Sequence, residues 1–528
     1  MRQARWIVGG AFVTLVATLG SSPVVGGADR ADAVALAAAR AKAQASEAAI
    51  AWRACGNRLQ CARVRVPLDW SRATVRAGRV VSAGPTISLA VIRYRTRNQR
   101  RRIGSLFMNF GGPGVAGTKN VRAAGAAFDG LARRRFDIVS WDPRGTGAST
   151  HVRCFADERS MARFWGPDWS IPTTPLESRR YVPKTVDFAR RCQARSGRLL
   201  AHISTVDTVR DLDYLRSLVG DRRLNYRGES YGTFLGQTYA NMFPRRVGRM
   251  VLDALIDPVP FTRSVEAAIA NNAADAGLVF EKFLSLCQQA GPARCALAGQ
   301  GPVAPRARAL LARLRRGPIP APSAPARQLT YGDTLIALWL SLGTPETWPK
   351  LATELNQAAN GDGSALANTV GGNKTLLQKS LVPATALQCA DKPLPRPGEV
   401  NRWPTVIDRF REQDGVVEAW WLWAPCASWR TASANRYTGP WNATTPNPIL
   451  VIGNRFDPRT VYRNAVVAAR RLGNAVLLTN NGYGHTSSSD LSDCTIAAVG
   501  RYLTTLATPT RGTVCQPNHR PFDPDFGQ

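Results

Sequence analysis

Histidine is scarce in this 528-residue chain: there are four, His151, His202, His485 and His519, spread along its length. Cys-x-x-Cys is absent. A zinc site draws its ligands from such residues at short spacing, so no metal is expected. Acidic residues are also few, 37 against 69 Lys and Arg, which leaves a net charge of +32. The arginines form no long basic block, and no nucleic-acid-binding motif accompanies them. A nucleic-acid partner is therefore not expected, whereas an anionic cell-wall polymer or membrane surface suits the charge. No internal repeat is found. The apolar run from Trp6 to Leu19 is broken by glycine and short for a membrane span. It follows Arg2 and Arg5 and precedes Gly26-Gly27-Ala28, so residues 1–28 read as a secretory signal peptide. No stop-transfer cluster follows, and no cysteine stands where a lipid anchor would need one. The expectation is a secreted protein, extracellular or wall-associated.

What is present fits export. Ten cysteines, an even number, all lie beyond the signal. Export and parity favour disulfides. Sequence does not determine the connectivity, and free buried thiols are the alternative. Pairing in chain order is expected because Cys55/Cys61, Cys287/Cys295 and Cys494/Cys515 are near neighbours. A hydrophobic share of 44% with 20% charged residues is that of a globular chain.

Residues 29–50 are alanine-rich. Thereafter strands and helices alternate. Thr86 to Tyr94, Gly104 to Phe110, Phe136 to Asp142, Arg249 to Leu255, Pro448 to Gly453 and Ala475 to Thr479 read as strands. Helices are expected over Thr205–Val219, Thr233–Phe243, Val461–Leu472 and Leu491–Leu506. This rhythm predicts an α/β fold, a mainly parallel sheet with helices on both faces. Between Val259 and Thr445 the rhythm stops. That stretch reads as helical and proline-broken, with a linker-like Gly317 to Pro325 and a tryptophan cluster at Trp420, Trp421 and Trp423, near Trp429 and Trp441. The expected organisation is a core in two parts, 29–258 and 446–528, with a helical lid inserted at 259–445. The tryptophans are assigned to lid packing.

The chemistry centres on Gly228-Glu-Ser-Tyr-Gly232, a Gly-x-Ser-x-Gly pentapeptide between a strand end and a helix. In the α/β-hydrolase fold this is the turn that lifts a nucleophilic serine, here Ser230, above the sheet edge. A serine hydroxyl needs a base beside it, and the base needs a carboxylate to hold its tautomer. In that fold the order is serine, acid, histidine. Of the two histidines after Ser230, His485 follows the last predicted strand, while His519 sits in a polar tail. Asp457 follows the strand before it; Asp490 and Asp493 come too late. An oxyanion hole requires two backbone N–H groups. Tyr231 supplies one. The other is placed in Gly111-Gly112-Pro113-Gly114, at Gly112, with Gly111 the second choice because Pro113 has no N–H.

Together, Asn109-Phe-Gly-Gly-Pro-Gly114, Trp141-Asp-Pro-Arg-Gly-Thr-Gly147, the serine pentapeptide, Asn454-Arg-Phe-Asp457 and Gly484-His485 resemble the secreted tripeptidyl aminopeptidases of actinomycetes, within the proline iminopeptidase-like α/β-hydrolases. The resemblance runs from about residue 50 to 510. It implies a cofactor-free serine exopeptidase that releases short peptides, often tripeptides, from free N-termini, with Ser230, Asp457 and His485 as the triad. Asp142, Arg144 and Glu229 are given structural roles. Two other readings stand beside it: a secreted carboxylesterase or lipase, and a non-catalytic basic wall-binding protein. A cationic peptide N-terminus would need local carboxylates in so basic a chain. Asp391 is the first choice for that contact and Glu418 the second. Nothing in the sequence sets the oligomeric state.

Overall fold

The computed structural model describes residues 50–524, apart from 77–78, 167–168, 397, 414–423, 432 and 434. The expected signal peptide, most of the alanine-rich stretch, Glu418 and the Trp420–Trp423 cluster lie outside the described residues.

One sheet of ten strands organises the chain. Its strands are β1 (Arg53–Gly56), β2 (Leu59–Pro67), β5 (Thr86–Tyr94), β6 (Gly104–Asn109), β7 (Phe136–Trp141), β8 (Leu224–Glu229), β9 (Val247–Asp253), β12 (Ile449–Phe456), β13 (Ala475–Tyr483) and β14 (Val514–Cys515). Two short ribbons, β3 (Ala73–Arg76) with β4 (Arg79–Ser82) and β10 (Ile319–Pro320) with β11 (Gln328–Leu329), lie outside it. The spatial order is β1-β2-β5-β7-β6-β8-β9-β12-β13-β14. From β7 to β14 every pairing is parallel, and β1, β2 and β5 add an antiparallel flank. The α/β fold read from the rhythm is the fold observed.

Side chains alternate across a strand, so each buried strand feeds two cores. Leu106, Met108, Leu450 and Ile452 pack on one face with Val121 and Tyr502, from helices Gly117–Leu131 and Asp493–Thr505. Phe107 and Val451 go to the other face, with Leu212, Leu235 and Ala465 from helices Thr205–Leu218, Tyr231–Met242 and Tyr462–Arg471. Burial on both faces makes the strands near-continuous apolar runs, which is why they were legible.

The segment between β9 and β12 is helical, its long elements being Val265–Ala290, Val303–Arg316, Tyr331–Leu342, Trp348–Ala359 and Ser364–Ala390. One reading there is corrected. Gly317 to Pro325 is no linker: Ile319 and Pro320 pair with Leu329 and Gln328, and Ile319 and Ala321 are buried. A second helical piece was not foreseen. Glu158–Trp165 and Pro175–Leu200 lie between β7 and β8, and the latter packs against Trp403–Gln413 and the turn Ala424–Ser428. All ten cysteines pair in chain order, as Cys55–Cys61, Cys154–Cys192, Cys287–Cys295, Cys389–Cys426 and Cys494–Cys515.

Candidate active site

β8 ends at Glu229, and the chain turns through Ser230 into helix Tyr231–Met242. Ser230 adopts φ 55° and ψ −122°, a left-handed conformation that costs a side-chain-bearing residue about 1–3 kcal/mol. Its N–H donates to Asp253 O at 3.0 Å. The flanking glycines make the turn fit. A Cβ on Gly228 would stand 2.3 Å from Gly232 O, and one on Gly232 would stand 2.6 Å from Asn109 O.

Asp457 and His485 leave the same sheet edge, after β12 and β13. His485 Nδ1 lies 3.0 Å from both oxygens of Asp457. The carboxylate also accepts from Arg459 N (2.8 Å), Thr460 N (3.0 Å), Thr460 Oγ1 (2.9 Å) and Thr486 N (3.3 Å). Burial pushes the Asp457 carboxyl up, but adjacent His485 and these hydrogen bonds outweigh it and leave it below its ordinary value. Asp457 is therefore ionised and accepts from His485, which leaves Nε2 as the unprotonated nitrogen of the neutral ring. The His485 N–H itself donates to Gly343 O at 2.9 Å, tying this loop to the end of helix Tyr331–Leu342.

A buried ionic network joins the histidine loop to the serine turn. Ser487 N donates to Asp253 Oδ1 (3.0 Å) and Ser487 Oγ to Asp253 Oδ2 (2.5 Å). Ser488 Oγ donates to Glu229 Oε1 at 3.3 Å. Arg227 bridges the two acids, with Nε 3.1 Å from Glu229 Oε1 and Nη2 3.1 Å from Asp253 Oδ2. Burial raises the Asp253 carboxyl to about 6 although Arg227 opposes the shift. Asp253 thus holds Ser230 through its carbonyl and the loop after His485 through its side chain. Sequence reasoning missed Arg227, Asp253 and Ser487. The available signal was charge within buried strands, in Arg227 and Asp253.

The loop after β6 lies against the serine turn. Gly111 has φ +77°, and a Cβ there would stand 2.5 Å from Glu229 O and 2.8 Å from Ser230 Cβ. Its N–H donates to Asn109 Oδ1 at 3.0 Å, so Gly111 is already engaged as a donor. Among the described residues nothing accepts the N–H of Gly112, whose φ is +102°. Tyr231 opens its helix, so its N–H has no intrahelical acceptor. Gly112 and Tyr231, the first-choice positions, thus carry N–H groups without an acceptor among the described residues.

Asp142 and Arg144 are structural, as expected. Asp142 accepts from Thr118 N (2.9 Å) and Ala148 N (2.8 Å). Arg144 is fully buried in a fork with Asp211, with two contacts of 2.7 Å. Glu229 is buried too. The assignment of Asp391 to a substrate amine is corrected. Asp391 is 3% exposed, and its two oxygens accept from Thr205 N (3.0 Å) and Thr205 Oγ1 (2.7 Å). It caps helix Thr205–Leu218 from outside the helix, and Thr205 Oγ1 in turn meets the Tyr231 hydroxyl. Trp429 and Trp441 are buried in packing. Among the described residues no cluster of His, Cys, Asp and Glu could hold a metal.

Residues 104–278 match the alpha/beta hydrolase fold family model, and residues 414–515 match the model described as TAP-like protein. The first range holds the glycine loop and Ser230, the second Asp457 and His485. The chain is 28% identical over 509 residues to a tripeptidyl aminopeptidase of Streptomyces coelicolor, covering 92% of this chain and 89% of that one. It is 29% identical to the serine protease Hip1 of Mycobacterium tuberculosis, covering 86% and 87% of the two chains. A carboxylesterase B of the same species is 29% identical, covering 87% and 86%. The chain has the α/β-hydrolase fold and is a serine hydrolase similar to the tripeptidyl aminopeptidases.

Proposed function

We propose that the protein is a secreted exopeptidase that releases short peptides, tripeptides foremost, from free N-termini through an acyl-enzyme on Ser230. Ser230 Oγ attacks the scissile carbonyl while His485 Nε2 takes its proton. The oxyanion is held by the N–H groups of Gly112 and Tyr231. His485 returns the proton to the leaving amine as the C–N bond breaks. Water, deprotonated by His485, then cleaves the ester and restores Ser230. The observation that carries this reading is the Asp457–His485 pair anchored through Ser487, Ser488, Glu229 and Asp253 to the turn that bears Ser230.

Likeness to a tripeptidyl aminopeptidase over 92% of the chain supports the peptide class. Five disulfides and the apolar N-terminal run behind Arg2 and Arg5 support export. The helices of 259–445 act as the lid in this reading. With Asp391 engaged by Thr205, Glu418 takes over recognition of the substrate ammonium. Two assays test the proposal. Ser230→Ala abolishes turnover and fluorophosphonate labelling while the protein stays folded; normal activity in that variant refutes the mechanism. A tripeptide anilide with a free N-terminus is cleaved faster than its acetylated form, and Glu418→Gln narrows the gap; equal rates in the unaltered enzyme refute the aminopeptidase assignment. Likeness to a carboxylesterase favours one second reading, an esterase, which faster turnover of short acyl esters than of any peptide anilide would establish.

A further inference from the structure

The arginines that looked scattered in sequence are gathered by the sheet. β6, β7, β8 and β9 are adjacent and parallel, and their first residues are level to within one position: Gly104 pairs with Phe136, Leu106 with Asn225, and Leu224 with Val247. Just before β6 stand Arg100 and Arg101, before β7 Arg133 and Arg134, and before β8 Arg222 and Arg223, all exposed. Exposed Arg245 precedes β9. The turns that carry them touch. Arg135 Nε donates to Arg101 O at 2.6 Å, Ser105 N to Asp221 Oδ2 at 2.8 Å, and a Cβ on Gly248 would stand 3.2 Å from Arg223 Cβ. With strands about 4.8 Å apart, the row spans roughly 15 Å along one edge.

These charges are not neutralised in place. Among the carboxylates nearby, Asp137 is taken by Arg102 at 2.8 Å, Asp213 by Arg216 and Arg246, and Asp221 by Ser105 N, while Asp129 is buried beneath the turn and accepts from Arg97 N at 3.4 Å. Among the described residues, no ion pair involves any of the six arginines before β6, β7 and β8. Arg133 and Arg134 also both have left-handed backbones, φ 55° and 53°, where a residue with a Cβ costs about 1–2 kcal/mol. None of the exposed large apolar residues falls in these turns.

We propose that this edge is a docking face for a linear phosphodiester polymer of the poly(alditol phosphate) kind. Arginine forks match phosphate oxygens in pairs, and a flexible polymer can meet several forks at once. The patch has no apolar side chains to enter a bilayer and no exposed aromatics on which bases could stack, which sets it apart from membrane and single-strand nucleic-acid surfaces. Ser230, Asp457 and His485 follow the opposite ends of their strands, and Ser230 stands about 20 Å away along the six residues of β8. A bound polymer therefore leaves the serine edge open.

The test uses the full chain and fluorescently end-labelled poly(glycerol phosphate), measured by anisotropy across a salt series. The edge variant replaces Arg100, Arg101, Arg222 and Arg223 by Gln, and Arg133 and Arg134 by Asn, which tolerates their backbone. A control variant removes the same charge elsewhere by replacing exposed Arg179, Arg180, Arg195, Arg198, Arg313 and Arg316 with Gln. The edge variant is expected to bind about tenfold more weakly or worse, with a shallower salt slope, and the control to change by about twofold or less. Turnover of a small substrate stays unchanged in both variants, and enzyme blocked at Ser230 by fluorophosphonate binds the polymer as before. If the edge variant misfolds, the separate pairs R100Q/R101Q and R222Q/R223Q are each expected to weaken binding while the control does not. Equal losses in edge and control variants overturn the proposal. So does no binding by the unaltered protein, or tighter binding to phosphatidylglycerol vesicles or to DNA than to the polymer.

Discussion

Asp457→Asn is the sharpest perturbation of the acid–base pair, because it keeps the shape and changes the donors. Oδ1 of Asp457 accepts from two backbone N–H groups, Arg459 and Thr460. Oδ2 accepts from the Thr460 hydroxyl and, at 3.3 Å, from Thr486 N. An asparagine NH2 at the first position would face two fixed donors. It therefore settles at the second, where the hydroxyl can rotate to accept and only the long Thr486 contact is lost. There it donates to His485 Nδ1. The imidazole then carries its proton on Nε2 and cannot take one from Ser230. The expected loss in kcat is about 10³- to 10⁴-fold, or roughly 4–5.5 kcal/mol of transition-state stabilisation. The fold should survive, since one long hydrogen bond is exchanged for another donor. The assay is kcat with a free-N-terminus tripeptide anilide, alongside a thermal melt. A loss below about tenfold in a variant that melts normally would refute the assignment of Asp457 as the orienting acid.

Further outcomes follow from the same geometry. Gly111→Ala places a Cβ 2.5 Å from Glu229 O and 2.8 Å from Ser230 Cβ, so it should cost at least about 100-fold in kcat with a smaller change in KM; an unchanged kcat would show that the loop does not support the reaction. Burial lifts Asp490 to about 7, above its unfolded value, so its neutral form stabilises the fold at low pH and that contribution is lost as pH rises through about 7. Asp490→Asn keeps an acceptor for Tyr483 N and should gain stability over the unaltered protein as pH rises from about 4 to 7, by at most about 4 kcal/mol; a gap independent of pH refutes the shift. Removing Cys389–Cys426, which closes a separation of 37 residues, should destabilise by about 3–4 kcal/mol in denaturant melts, and an unchanged midpoint would show that the bridge contributes nothing.

The sequence by itself determined the alternation of strands and helices and hence the α/β fold. β6, β7, β9, β12 and β13 are buried on both faces, and the resulting apolar runs are local signals that need no tertiary context. Gly228 was legible for the same reason, since a side chain there would strike Gly232 O within the turn itself, whereas the close approaches at Gly232 and Gly111 come from Asn109 and from Glu229 and Ser230 across the sheet edge. Tertiary structure alone decided the rest. Asp391 looked like a substrate contact because it follows a cysteine in the helical segment, yet its partner Thr205 is 186 residues away. Asp253 read only as part of the strand from Arg249 to Leu255, yet it holds Ser487 across 234 residues. The arginines before β6, β7, β8 and β9 looked scattered because strands adjacent in the sheet are far apart in the chain. Charge and hydrogen bonding act through space, and chain separation carries no record of which distant groups a parallel sheet brings within reach.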